Sequence, residues 1–216
     1  ASLASGESEI NNIAIEPEVI DLIKCLKSMG SEIDFIGDRK ILIQGKENLR
    51  GTTHDVIPDR IEAGTYMIAG ALIGNNLNIQ NIEPDHLQNI LNVFEELEID
   101  FNLNKDSVSL SKSDIEMGVN LQTEEYPGFP TDLQAQTMVL LSKSKKQSSI
   151  IENIFENRFM HVPELNRMGA QISIKGNKSI ISPSSELIGA PVMATDLRAS
   201  VSLVLAGLIS KGETII

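Results

Sequence analysis

Arginine is scarce in this 216-residue chain: six occur, at positions 39, 50, 60, 158, 167 and 198. Arg198 stands two residues after Asp196 in TDLRASVSLVLAG, a run that is otherwise apolar or small. A buried helix gains nothing from a guanidinium at its mouth unless that group faces a cleft with an anion or a carboxylate. A second acid, Asp132, is delivered by EEYPGFPTDLQAQ (124–136), where Pro127, Gly128 and Pro130 stiffen the approach to a helix start. A third segment, ENRFMHVPELNRMGA (156–170), crowds Arg158, His161 and Arg167 around Phe159 and Met160. Helix N-termini are also anion sites, so an arginine placed there points to a cleft that holds an anion or a carboxylate. The plainer reading of Asp59, Asp132 and Asp196 is that each caps the helix it precedes, and capping is the default for such an Asp.

Other chemistries are poorly served. His54, His86 and His161 are scattered, and no His or Cys pair has ligand spacing, so no metal site is expected. Neither GxGxxG nor GxxxxGK[ST] occurs, and no cofactor is expected. Cys25 sits among Leu22, Leu26 and Met29 and reads as a packing residue; as the single Cys it cannot form an internal disulfide. The net charge of −12 disfavours nucleic acid and anionic membrane as partners. No apolar run approaches the roughly 20 residues of a membrane span. ASLASGESEI lacks the basic and apolar regions of a signal peptide, and a cytoplasmic location is expected.

The elements that position these residues repeat about every 70 residues. Ile10-Asn11-Asn12-Ile13, Ile79-Gln80-Asn81-Ile82 and Ile151-Glu152-Asn153-Ile154 each end a strand and open a turn. A helix follows each, closing at Met29-Gly30, Leu97-Glu98 and Met168-Gly169. Two short strands come next, as SEIDF and KILIQG, IDFNL and SVSLS, and AQISI and KSIIS. Each repeat ends in a helix that starts at an Asp: Asp59, Asp132 or Asp196. Residues 17–29 and 85–97 carry one apolar stripe and suit the outside of a sheet. The Asp-started helices are apolar nearly all round and suit burial. The expected fold is α/β (α+β): repeated βαββα units, central helices buried together, sheets and amphipathic helices outside.

PDRIEAGT (58–65), YPGFPTDLQAQ (126–136), ENRFMHVPELNRMGA (156–170) and GAPVMATDLRASVSLVLAG (189–207) resemble the UDP-N-acetylglucosamine enolpyruvyl transferases. With the repeat framework, the resemblance covers essentially the whole chain. It implies a pseudo-threefold inside-out α/β barrel in each of two domains, with the site in the cleft between them. Residues 1–52 would be the tail of the first domain, and 53–216 most of the second without its C-terminal end. The implied reaction moves the enolpyruvyl group of phosphoenolpyruvate to the carbon-three hydroxyl of UDP-N-acetylglucosamine, in peptidoglycan precursor synthesis. In this family pattern Asp132 is the general base and Ile154 gives the substrate a backbone contact. Arg158 faces the intermediate's carboxylate, and Asp196 and Arg198 sit by phosphoenolpyruvate. The family's proton-donor loop has no match here, and Cys25 lies in the wrong motif to replace it. The chain alone is therefore expected to be inactive. Its helix face 17–29 and helix 197–209 are expected to need covering, by each other or by self-association of two copies.

Overall fold

The computed structural model describes residues 1–184, 186–194 and 197–216. They form two compact units, Ala1–Ile57 and Pro58–Ile216.

In the first unit, β1 (Glu7–Asn11) is followed by α1 (Pro17–Ser28), β2 (Glu32–Gly37) and β3 (Lys40–Gln44). The sheet order is β1-β3-β2, and both pairings are antiparallel. Pro17 opens α1, where its missing N–H costs nothing. Ile23 of α1 joins Ile13, Ile33, Ile41 and Ile43 in a small core. His54 reaches back to α1, its Nε2 lying 3.1 Å from each carboxylate oxygen of Asp21.

The second unit runs α2 (Arg60–Ile73), β4 (Leu77–Gln80), α3 (Gln88–Glu96), β5 (Phe101–Leu103), β6 (Ser107–Leu110), β7 (Asn120–Gln122) and α4 (Gln134–Ser142). It continues through β8 (Ser148–Ile151), α5 (Val162–Arg167), β9 (Gln171–Lys175), β10 (Lys178–Ser182) and α6 (Leu197–Ile209). Its sheets have the orders β4-β6-β5 and β7-β8-β10-β9, with β7 parallel to β8. The repeat seen in the sequence is thus a repeat of pairing. In all three sheets the third strand of the unit lies between the first and the second. The helix ends repeat as well. Gly30, Glu98 and Gly169 have φ of +96°, +57° and +98°. The following N–H bonds back to Leu26, Phe94 and Leu165 respectively. That left-handed closure satisfies orphan carbonyls and turns the chain towards its next strand; glycine suits it in two repeats, and Glu98 bears the strain in the other.

The helices α2, α4 and α6 pack on one another. All nine residues of α4 are buried, polar Gln134, Gln136 and Thr137 included. The burial expected of the other two is incomplete: Tyr66 of α2 and Val204 and Leu208 of α6 are about half exposed. α4 lies against both helices and against β8 and β10, whereas α6 meets α4, α2 and α5 and keeps an open side. No helix among the described residues is long and apolar enough to cross a membrane.

Candidate active site

The loop between β7 and α4 places the central acid. Glu124 N–H bonds to the Phe129 carbonyl at 3.0 Å and Gly128 N–H to the Glu125 carbonyl at 2.8 Å, folding the loop on itself. A Cβ on Gly128 would stand 2.4 Å from that of Glu124, so this turn requires glycine. Asn89 Nδ2 donates to the Gly128 carbonyl at 3.2 Å, and the Arg60 guanidinium lies over the Tyr126 ring at 5.4 Å. Phe129 and Leu133 are buried on either side of Asp132 and fix both ends of the approach.

Asp132 does not cap α4, contrary to the default expectation. It lies inside a single 3₁₀ turn, Thr131–Leu133, that precedes the helix, and its carboxylate takes no backbone cap bond. Capping needs an extended residue outside the turn, and here that residue is Pro130. The Asp132 carboxylate is held by two cations instead. Arg158 Nη2 donates to Oδ1 at 2.7 Å, and Arg198 Nη2 donates to Oδ2 at 3.1 Å. The Asp132 side chain remains 38% exposed between them. Burial alone would push its carboxyl up, but hydrogen bonds and charge from Arg198, then Arg158, outweigh it and hold the carboxyl below the usual aspartate value.

Arg158 is itself fixed from three sides. Besides Asp132, its Nη1 donates to Thr131 Oγ1 at 3.0 Å, and its guanidinium lies 4.7 Å from the Phe155 ring centroid. An open cavity of about 550 Å³ lies beside it, lined among others by Ile154, Phe155, Arg158 and Asn177. The Ile154 side chain is exposed there, and its N–H is donated to Glu152 Oε1 at 3.0 Å.

The structure thus brings Asp132, Arg158 and Arg198 together, with Ile154 on the neighbouring loop. Asp196 lies outside the described residues. Arg167 pairs instead with Glu164: its Nε lies 3.3 Å from Glu164 Oε2, and the side chain is largely exposed. Met160 is exposed while Phe159 is buried. Reasoning from sequence passed over Glu152, Thr131 and Thr123, whose side chains bond one another beneath the site. One signal was available: Glu152 occupies the repeat position held by Asn11 and Gln80, and it alone of the three is an acid. Among the described residues no cluster of His, Cys, Asp and Glu could hold a metal ion.

The family model of EPSP synthase (3-phosphoshikimate 1-carboxyvinyltransferase) matches residues 1–216. The UDP-N-acetylglucosamine 1-carboxyvinyltransferase of Granulibacter bethesdensis is 50% identical over 216 residues, which is 100% of this chain and 51% of that protein. Its counterpart in Koribacter versatilis is 52% identical, again over 100% of this chain and 50% of its own length. The chain spans about half the length of the curated relatives it matches. Among solved structures, the enolpyruvyl transferase NikO from Streptomyces tendae matches with a TM-score of 0.89 and 25% identity, over 99% of this chain and 51% of that one. The EPSP synthase from Acinetobacter baumannii shares the fold at a TM-score of 0.68, with 16% identity, over 97% and 51%.

Proposed function

The chain belongs to the EPSP synthase (3-phosphoshikimate 1-carboxyvinyltransferase) family, and we propose that it carries the Asp132 side of an enolpyruvyl transferase site. The substrates in this reading are phosphoenolpyruvate and UDP-N-acetylglucosamine. The sugar hydroxyl adds to carbon two of phosphoenolpyruvate, and elimination then releases inorganic phosphate and restores the double bond. The product feeds peptidoglycan precursor synthesis in the cytoplasm. Residues 1–52 belong in this reading to the tail of a first domain, and 53–216 to most of a second.

The observation that carries the reading is the Asp132 carboxylate gripped by Arg158 and Arg198 instead of capping its helix. As it stands, that carboxylate is a weak base, because both cations favour its charged form. An incoming phosphate or carboxylate competes for the same two guanidiniums. As they swing to the substrate, the Asp132 carboxyl rises towards its ordinary range and becomes a better acceptor for the hydroxyl proton. A positioned base of this kind contributes about 10²–10⁴-fold. Arg198 then faces phosphoenolpyruvate, and Arg158 the carboxylate of the tetrahedral intermediate, where fixed cations stabilise concentrated negative charge. Asp196 is assigned proton handling beside phosphoenolpyruvate. The backbone contact from Ile154 falls to its carbonyl oxygen, since its N–H is already donated to Glu152.

Phosphate release from phosphoenolpyruvate in the presence of UDP-N-acetylglucosamine tests this. The 216-residue chain alone should release none above background. Supplied with the remaining part of a full-length relative, it should turn over, and Asp132→Asn should lower that turnover by about 10²–10⁴-fold. Full activity of the Asp132→Asn chain in the supplemented assay would sink the reading, as would turnover by the unsupplemented chain.

A further inference from the structure

Glu152 is a carboxylate at the end of β8 that is 2% exposed and accepts four hydrogen bonds. Its Oε1 receives the Thr123 hydroxyl at 2.8 Å and the N–H groups of Ile154 and Phe155 at 3.0 and 3.1 Å. Its Oε2 lies 2.9 Å from Thr131 Oγ1. No cation pairs with it among the described residues, and a buried carboxylate persists only with its oxygens satisfied in this way. At the same place in the other two repeats, Asn11 and Gln80 are exposed. The repeat fold therefore does not require a buried acid here, and a local reason must be sought.

The bond polarities supply one. Thr123 Oγ1 accepts from Asn153 N–H at 2.9 Å, so its proton goes to Glu152. Thr131 Oγ1 accepts from Arg158 Nη1, which can only donate, so the Thr131 proton also goes to Glu152. The chain of donors runs from Arg158 through Thr131 to Glu152, while Nη2 of the same guanidinium donates to Asp132. Glu152 also acts on Arg158 from below. It fixes the backbone N–H of Phe155, whose ring lies against the guanidinium. We infer that Glu152 is a positioning residue: through the Thr131 hydroxyl and the Phe155 backbone it holds Arg158 in the orientation that grips Asp132. Two carboxylates thus share one guanidinium, one directly and one through a hydroxyl, and this fixes both edges of the fork.

This inference rests on reading Asp132 and Arg158 as the site, yet its test needs no substrate, so it and that reading fail separately. Phosphate release decides the reading; nuclear magnetic resonance of the 216-residue chain, with labelled arginine nitrogens and aspartate carboxyls, decides the role of Glu152. In Glu152→Gln the oxygen of the amide keeps the three donors on its side, so its nitrogen faces Thr131 and competes with Arg158. The Arg158 Nη hydrogens should exchange about 10–100-fold faster, the scale of losing one hydrogen bond to a charged group. The Asp132 carboxyl should titrate higher, because its hold on Arg158 is loosened. Mere loss of a neighbouring negative charge would move it lower, so the sign separates positioning from through-space charge. Thr131→Val should reproduce both effects with Glu152 intact, and it carries the test if Glu152→Gln fails to fold. Thr131→Ser, which keeps the hydroxyl, should behave as wild type. Unchanged Arg158 exchange in Thr131→Val, a lower Asp132 titration in Glu152→Gln, or equal losses in Thr131→Ser and Thr131→Val would each overturn the inference.

Discussion

Asp59 and Asp132 hold equivalent places in two repeats, each ahead of a central helix, and they do opposite things. Asp59 has φ −74° and ψ 107°, outside α2, and its Oδ1 accepts from Ile61 and Glu62 N–H at 2.8 and 3.0 Å. Its carboxylate is engaged by its own helix. Asp132 has been drawn one step inward, into a 3₁₀ turn, and faces Arg158 and Arg198 instead of backbone. The difference teaches that a helix mouth becomes a reactive site when something other than the acid closes the helix. At α4 that something is Pro130 and the tight turn after it.

The largest test of this contrast is chemical. In the supplemented turnover assay, Asp132→Asn should lower phosphate release by about 10²–10⁴-fold. A loss of less than tenfold would make Asp132 an electrostatic bystander.

Next in size is the seat of the turn itself. A Cβ on Gly64 of α2 would stand 2.7 Å from Leu133 Cδ1, so the buried Leu133 side chain must shift to admit it. Gly64→Ala should therefore cost about 1–3 kcal/mol by overpacking, offset by the roughly 1 kcal/mol that Ala gains over Gly in a helix, for a net loss of up to about 2 kcal/mol. The urea midpoint measures it, and a stabilised variant would show that the 3₁₀ turn is free to move.

The cap is smaller. Asp59→Ala should lose about 0.5–2 kcal/mol, whereas Asp59→Asn, an equally good cap, should lose only a few tenths. Equal losses in the two variants would mean that charge at α2, and not capping, is what matters.

The smallest effect is the pH dependence that Asp132 brings. Its carboxyl is held below the usual value in the folded chain, so its contribution to stability is complete above the ordinary aspartate range, about pH 4. That contribution is lost as pH falls through the lower folded value. The difference in urea midpoint between wild type and Asp132→Asn should shrink on acidification below about pH 4, and should shrink with salt at neutral pH because the pair is partly exposed. A difference that grows in acid would reverse the sign argued for this site.

Much of the fold is legible without coordinates because its determinants are short-range. The stripe of Ile90, Leu91 and Phe94 makes α3 amphipathic, and those residues are buried, together with Val93. Gly30 and Gly169 stop α1 and α5 by a backbone conformation that glycine adopts at least cost. The continuous apolar character of α6 was less informative. It announced burial, yet Val204 and Leu208 stay half exposed, because composition says how much surface a helix must hide and not how many neighbours it has.

For the site, the sequence by itself determined the inventory: an Asp behind a proline-stiffened loop, an Arg in ENRF, and an Arg at the mouth of an apolar helix. Tertiary structure decided their use. Arg158 and Arg198 reach Asp132 from 26 and 66 residues away along the chain, and no local pattern encodes such a meeting. It decided also that Asp59 caps while Asp132 does not, and that Glu152 is buried where Asn11 and Gln80 are exposed. Periodicity and caps follow from forces within one turn of the chain. The fate of a carboxylate depends on which donors arrive from elsewhere, and only the packed sheets and helices bring them there.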